Sequence, residues 1–257
     1  AITTISRALN NAPELSEETR VRVQKIAAEI GYVPDRTVLR LKTGRTHVVA
    51  LVLDPHDEIL NFSQSLVSGL GAALRGTPYH LVIAPGGPGG SPLDPINYIV
   101  TNRMADGVIF SRTEPGDARV KLLLEADFPF VTHGRTENVG DHAYVDYDNF
   151  RFAHAATSRL ADKGRKHVSM VGANPRFTFG HHLSDGLRTA AEASGMRWEI
   201  ESRVTLDDKA EDIRRATMAR IAEGDAPDAY VCPGDAVALA VIAGIVDSGL
   251  VVGRDAD

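Results

Sequence analysis

Near its start the sequence reads "TTISRALNN", and within those residues Thr3, Thr4, Ser6 and Asn10 are short hydroxyl and amide groups joined by one longer cation, Arg7. Short hydrogen-bonding side chains plus a guanidinium on one helix suit a surface that offers both acceptors and negative charge. The charge balance points the same way. Residues 1–46 carry eight basic groups (Arg7, Arg20, Arg22, Lys25, Arg36, Arg40, Lys42, Arg45) against five acidic ones (Glu14, Glu17, Glu18, Glu29, Asp35), net +3, which leaves −9 on the other 211 residues. A short basic head on a larger acidic body is the electrostatic pattern of a phosphate-backbone reader attached to something else. The alternative is a capped helix on a solvated charged surface.

Such a helix must be held by its neighbours. "LSEETRVRVQKIAAEIGYVP" predicts a helix that begins at Ser16 as N-cap, with Glu17 and Glu18 in its first turn. It places Val23, Ile26, Ala27 and Ile30 on one face and stops at Gly31 before Pro34. "NNAPEL" supplies the turn that brings this helix to helix 3–10 at an angle. "PDRTVLRLKTGRT" (34–46) follows, with Thr37, Val38 and Leu41 on one short apolar face among cations. Thirteen residues are marginal for an isolated helix, so its order is expected to depend on partners.

From His47 onward the chain alternates. "HVVALVL" (47–53), "YHLVIA", "GVIFS" and "FPFVTH" read as buried strands separated by helical spacings, such as Phe62, Leu66, Leu70 and Leu74. A second series runs through "HAYVD", a helix at 149–163, "HVSMVG", a helix at 183–194, "WEIESRV", a helix at 210–223, "DAYVC" and a helix at 236–248. This predicts an α/β fold of two doubly wound parallel-sheet lobes preceded by a helical head. The expected boundaries are 1–33 for the head, 34–46 for the linker, 47–142 for the first lobe and 143–257 for the second.

Several chemistries are set aside by what the sequence lacks. No run of eighteen apolar residues and no signal-peptide order occurs, so the expectation is a cytoplasmic protein with no membrane partner. Cys232 is the only cysteine and lies in an apolar strand-like run, which suits a buried structural thiol better than a nucleophile. "PGGPGGS" (85–91) lacks a dinucleotide or P-loop spacing and reads as a loop. Neither H-E-x-x-H nor G-x-S-x-G is present, and no cofactor is implied. His181, His182 and Asp185 could suggest a metal, but adjacent histidines on a helix point to different faces, so none is expected.

The head and linker together, with "VDYDNFRFAHAATSRLADKGRKHVSMVG" and "VCPGDAVALAVIAGIVDSGLVVGRDAD" in the body, resemble the lactose-repressor (LacI/GalR) family of bacterial transcription regulators over the whole chain. The resemblance implies a partial helix-turn-helix head, a hinge helix and a periplasmic-binding-protein-like pair of lobes, with the family's first helix and last strands outside the sequence. It implies that Ile2, Thr3 and Arg7 face base edges in the major groove, Arg7 being suited to a bidentate contact with guanine. Thr4, Ser6, Asn10, Ser16 and Thr19 would hold phosphates, the last two at a helix N-terminus, and Lys42 would join them from the hinge. Leu41 would wedge between base pairs from the minor groove.

In the body the resemblance implies a small-molecule effector, a carbohydrate by family, in the cleft between the lobes. Phe62 would stack on a sugar ring and Ser63 and Gln64 would bond hydroxyls. Phe177, Phe179 and Asp235 match cleft positions in the second lobe, and Arg135 and Arg151 are further candidates. Leu183 stands where many members place an arginine clamp, and Leu39 and Arg40 replace polar pairs in the hinge. The expected partners are operator duplex DNA, the effector and a second copy of the chain, with function as a repressor and not an enzyme. The alternatives are a solute-binding protein of a transport system, which would bring a secretion signal and no basic head, and an enzyme on the same scaffold.

Overall fold

The computed structural model describes residues 2–9, 11–32, 40–41, 43–53, 62–85 and 90–257. The chain divides into two compact units, 1–46 and 47–257. In the first, α1 (Ile2–Leu9) and α2 (Glu17–Glu29) pack together. Ser16 caps α2, its Oγ accepting the Thr19 N–H at 3.3 Å, and Glu17 and Glu18 occupy the first turn where the helix dipole favours anions. Asn11 turns the chain with φ +54°, a conformation that asparagine tolerates better than most residues. Ala8 and Ala27 are buried, whereas Ile26 and Ile30, expected on a packed face, stay exposed. Of the linker, Arg40, Leu41 and Thr43 carry helical backbone; Thr37, Val38, Leu39 and Lys42 lie outside the described residues.

The second unit holds two parallel sheets. The first has the order β2-β1-β3-β4-β5 and the second β7-β6-β8, every ladder parallel. The first lobe runs β1 (Val48–Leu53), α3 (Phe62–Ala73), β2 (His80–Pro85), α4 (Leu93–Thr101), β3 (Gly107–Ser111), α5 (Ala118–Glu125), β4 (Phe130–His133) and β5 (Tyr144–Val145). The second runs α6 (Asn149–Asp162), β6 (His167–Met170), α7 (Thr178–Ser194), β7 (Arg197–Ile200), α8 (Ala210–Glu223), β8 (Ala229–Val231) and α9 (Asp235–Asp247). Right-handed crossovers put α3 on one face of the first sheet and α4 and α5 on the other, because strand order reverses at β1. The same reversal at β6 separates α7 from α8 and α9. Contacts of α6 with α7 and of α8 with α9 follow that division.

The near-continuous apolar strands are buried between these helices. Leu51, Val108, Phe110, Ile96, Val120 and Leu123 are inaccessible in the first lobe, and Val168, Met170, Leu183, Leu187 and Ile213 in the second. In each sheet the reversal opens a crevice beyond the carboxyl ends of neighbouring strands, β1/β3 in one and β6/β8 in the other.

Two expectations need correction. Tyr144–Val145 belongs to the first sheet, with Thr132 opposite Tyr144 and His133 opposite Val145, so the first lobe extends past residue 142. The segment is two residues long and exposed, and its own pattern could not say which sheet it joins. The α7 helix begins at Thr178 and not at 183. Its early glycine, Gly180, reads as a breaker but lets the helix approach Ala173, whose Cβ would stand 3.1 Å from a β-carbon there.

Candidate functional site

On the head, Thr3 and Arg7 are exposed and one helical turn apart, while Thr4 and Ser6 are half-buried beside them. Ile2 opens the helix, and Asn10 lies outside the described residues. Ser16 and Thr19 are not independent hydroxyls: their side-chain oxygens lie 2.8 Å apart, and Ser16 also caps α2. Gln24 fixes the end of α1, its Nε2 donating to the Ala8 carbonyl at 3.1 Å and to Asn11 Oδ1 at 2.7 Å. Nothing in the spacing of Gln24 marks this role, because its partners are sixteen and thirteen residues away. Leu41 is 83% exposed.

In the body a cleft of about 660 Å³, including its mouth, opens where the carboxyl ends of the two sheets face each other. The first lobe contributes Ser111 at the end of β3 with Arg112 and Thr113 after it, His133 and Gly134 at the end of β4, and Phe62 from α3. The segment that crosses between lobes, Asp146–Asn149, adds Asp146, Tyr147 and Asn149. Phe179 and Leu183 on α7, Leu206 after β7, and Pro233 and Gly234 after β8 complete the wall.

Its geometry is aromatic with a few fixed polar groups. The His133 ring lies edge-on between Phe62 (5.1 Å between centroids) and Tyr147 (5.7 Å). Asp146 is nearly inaccessible and accepts from Arg135 Nε at 2.8 Å, so its buried charge is paired. That hydrogen bond raises the Arg135 guanidinium pKa above its ordinary value, against the opposing effect of burial. Gly134 has φ +109°, and a β-carbon on it would meet Thr113 Oγ1 at 2.8 Å; this approach lets Thr113 donate to the Arg135 carbonyl at 2.7 Å.

Of the residues the sequence singled out, Phe62 and Phe179 line the cleft together. Ser63, Gln64, Arg135, Arg151, Phe177 and Asp235 are not among its lining residues. Phe177 is buried behind the wall, stacked on Phe179 at 5.7 Å. Arg135 backs Asp146, Arg151 is exposed on α6, and Asp235 starts α9 one residue beyond Gly234. Ser63, Arg135 and Asp235 each sit next to a lining residue in sequence, whereas Gln64 and Arg151 lie two residues from one. Leu183 lies in the wall and is buried. His181 Nε2 lies 2.6 Å from the Pro175 carbonyl and His182 Nε2 3.3 Å from Glu137 Oε1, on different neighbours as helix geometry demands.

Missed by sequence reasoning were Arg112, His133, Asp146, Tyr147 and Asn149. Arg112 follows buried β3 and His133 ends β4, a positional signal that was available, whereas Asp146, Tyr147 and Asn149 lie in the crossover after exposed β5, which carries no such signal.

Residues 1–35 match the family described as bacterial regulatory proteins, lacI family, and residues 46–256 match that of periplasmic binding proteins and the sugar binding domain of the LacI family. The chain belongs to the LacI family. It is 30% identical over 259 residues to the transcriptional regulator CelR of Thermobifida fusca, covering 98% of this chain and 75% of that protein. To the regulator AglR of Rhizobium meliloti (strain 1021) it is 28% identical over 260 residues, covering 98% and 72%. The solved CelR–cellobiose complex superposes with a TM-score of 0.68 at 26% identity, over all of this chain and 77% of that one. The chain is accordingly a sugar-responsive, DNA-binding transcription regulator of LacI type, with a helix-turn-helix region in front of a sugar-binding domain. The basic LacI head distinguishes it from a solute-binding protein of a transport system, and LacI-family regulators are not enzymes. Among the described residues no helix is long and apolar enough to cross a membrane.

Proposed function

We propose that this LacI-family regulator is a repressor working in the cytoplasm as a homodimer, released from its operator when an uncharged mono- or disaccharide fills the cleft. The observation that carries the sugar reading is the pairing of aromatic walls, Phe62, Tyr147 and Phe179, with the fixed hydrogen-bonding groups Asp146 and Asn149. Pyranose rings present apolar faces that stack on aromatics and hydroxyls that bond carboxylates and amides. The similarity to a regulator solved with cellobiose supports a glucoside as first candidate. Leu183 in place of a clamp arginine favours shape and stacking over a bidentate ionic grip on that side.

On the head, exposed Thr3 and Arg7 are the proposed base readers, with Ile2 beside them, and Thr4, Ser6, Asn10, Ser16, Thr19 and Lys42 as phosphate contacts. Leu41, with its side chain in solvent, is the proposed wedge. In α9 the apolar side chains Leu239 (58% exposed), Ile242 (41%) and Val246 (55%) share one face, which supports a self-association surface. Effector binding then needs to favour one lobe arrangement by about 1–3 kcal/mol to change DNA affinity.

A thermal-shift series with cellobiose, maltose, glucose and glucose 6-phosphate tests the reading. A neutral sugar at 100 times its Kd stabilises by about 2.7 kcal/mol, a rise of several degrees. Stabilisation by glucose 6-phosphate alone, or by none of the four, would count against an uncharged glucoside.

A further inference from the structure

Arg112 stands directly after β3 with φ +56°, a left-handed backbone that residues bearing a β-carbon seldom adopt. The neighbouring structure imposes it. Arg119, itself buried, donates from Nη2 to the Arg112 carbonyl at 2.9 Å. Arg119 is in turn fixed by two bonds to buried Asp117, Nε to Oδ1 at 3.0 Å and Nη2 to Oδ2 at 2.7 Å, and lies over the Phe110 ring at 4.5 Å. An over-determined strained residue at a site marks a functional demand on its side chain.

That side chain crosses the cleft. The Arg112 guanidinium lies 4.2 Å over the ring of Phe177, and its Nη2 donates to Asp207 Oδ2 at 2.5 Å. Phe177 and Asp207 both belong to the second lobe. One residue on, the Thr113 carbonyl accepts the Thr178 N–H at 2.9 Å, a backbone bond between lobes at the first residue of α7. The other described ion pairs between lobes, Glu114 with Arg176 at 3.7 Å and Glu137 with His182 at 3.3 Å, are more exposed and contribute less.

We propose that Arg112 is a positioning residue that ties the two lobes into the closed arrangement through Asp207 and Phe177. It places the Phe177–Phe179 stack against the cleft, with the Arg119–Asp117 pair as its anchor in the first lobe. The tether stands on contacts within this chain; only its consequence for effector binding rests on the sugar reading above. Losing the tether makes bringing the lobes together part of the cost of effector binding.

The test uses the ligand-free chain. Amide exchange at Thr178 reports the interlobe bond, and small-angle scattering reports separation of the lobes. Asp207→Asn and Arg112→Gln should each accelerate exchange at Thr178 about tenfold or more and raise the radius of gyration. The double variant should exchange no faster than the faster single one, because both remove one interaction. Arg203→Gln, which breaks the exposed pair with Glu223 inside the second lobe, should change neither readout. Wild-type exchange at Thr178 in Asp207→Asn overturns the proposal. Asp207 is partly exposed, so that variant decides the matter even if Arg112→Gln fails to fold. Cellobiose binding is measured separately: its absence in the wild type would overturn the sugar reading and leave the exchange result to judge the tether.

Discussion

A β-carbon at Gly186 would stand 2.2 Å from the carbonyl oxygen of Phe150. The helices α6 and α7 therefore touch backbone to backbone at this point, with the Ala153 Cβ 3.1 Å from the same position. Gly186→Ala must force the helices apart across the second-lobe core. We expect a loss of about 1–3 kcal/mol or more, read as a lowered Tm, although alanine is the better helix former. A Tm equal to wild type would show that the helices separate without penalty.

The buried Asp117–Arg119 pair predicts an acid-sensitive first lobe. Burial acts to raise the Asp117 pKa, but the Arg119 hydrogen bonds and charge, with backbone N–H groups of Glu114 and Arg119, hold it below its ordinary value. The unfolded chain therefore takes up this proton first. The stabilisation is complete above the ordinary carboxylate pKa of about 4 and is lost as pH falls through the lower folded value. Arg119→Met leaves the carboxylate buried and unpaired and should cost about 3–5 kcal/mol at pH 7. The deficit should narrow in denaturant titrations repeated toward pH 3, where protonation relieves the variant. A deficit independent of pH would contradict the pair's ionic character.

Phe177 and Phe179 should separate stability from binding. Phe177 is buried behind the wall, so Phe177→Ala should lower stability by about 3–5 kcal/mol. Phe179 lines the cleft and is half-buried, so Phe179→Ala should raise the Kd for cellobiose about three- to tenfold with a smaller change in Tm. Calorimetric titration beside thermal melts makes the comparison, and the reverse pattern would exchange their assignments.

Cys232 should be inert. Burial pushes its thiol up to about 12. The half-buried thiol is then almost wholly protonated at pH 8, so alkylation by iodoacetamide in native buffer should be slower than in denaturant. Equal rates in the two conditions would place the residue in solvent.

For the head, Arg7→Ala on the chain bound to a duplex selected from random sequence should lose about 1–3 kcal/mol of discrimination between preferred and altered bases. Ser16→Ala acts through the cap and should weaken all duplexes alike, with a helix loss of about 1 kcal/mol. Fluorescence anisotropy against matched and single-substituted duplexes distinguishes the two. Unchanged preference in Arg7→Ala would remove it from the base-reading set.

The repeating strand and helix periods were legible because burial on both faces leaves unbroken apolar runs such as "VVALVL", now β1. The N-cap at Ser16 was legible for a local reason, since its acceptor geometry is complete within three residues. What escaped was set by distance along the chain. Arg112 finds Asp207 ninety-five residues away and Gln24 finds Ala8 sixteen away, and no local pattern encodes either. Phe177 and Phe179 matched cleft positions equally well by type, and only the turn into α7 decides that one faces the cleft while the other backs it.

The short crossover from β5 to α6 carries a last implication. Asp146, Tyr147 and Asn149 line the cleft and also form the strap between the two lobes. On the proposed sugar reading, a guest bonded to these three side chains would grip the interlobe crossover itself.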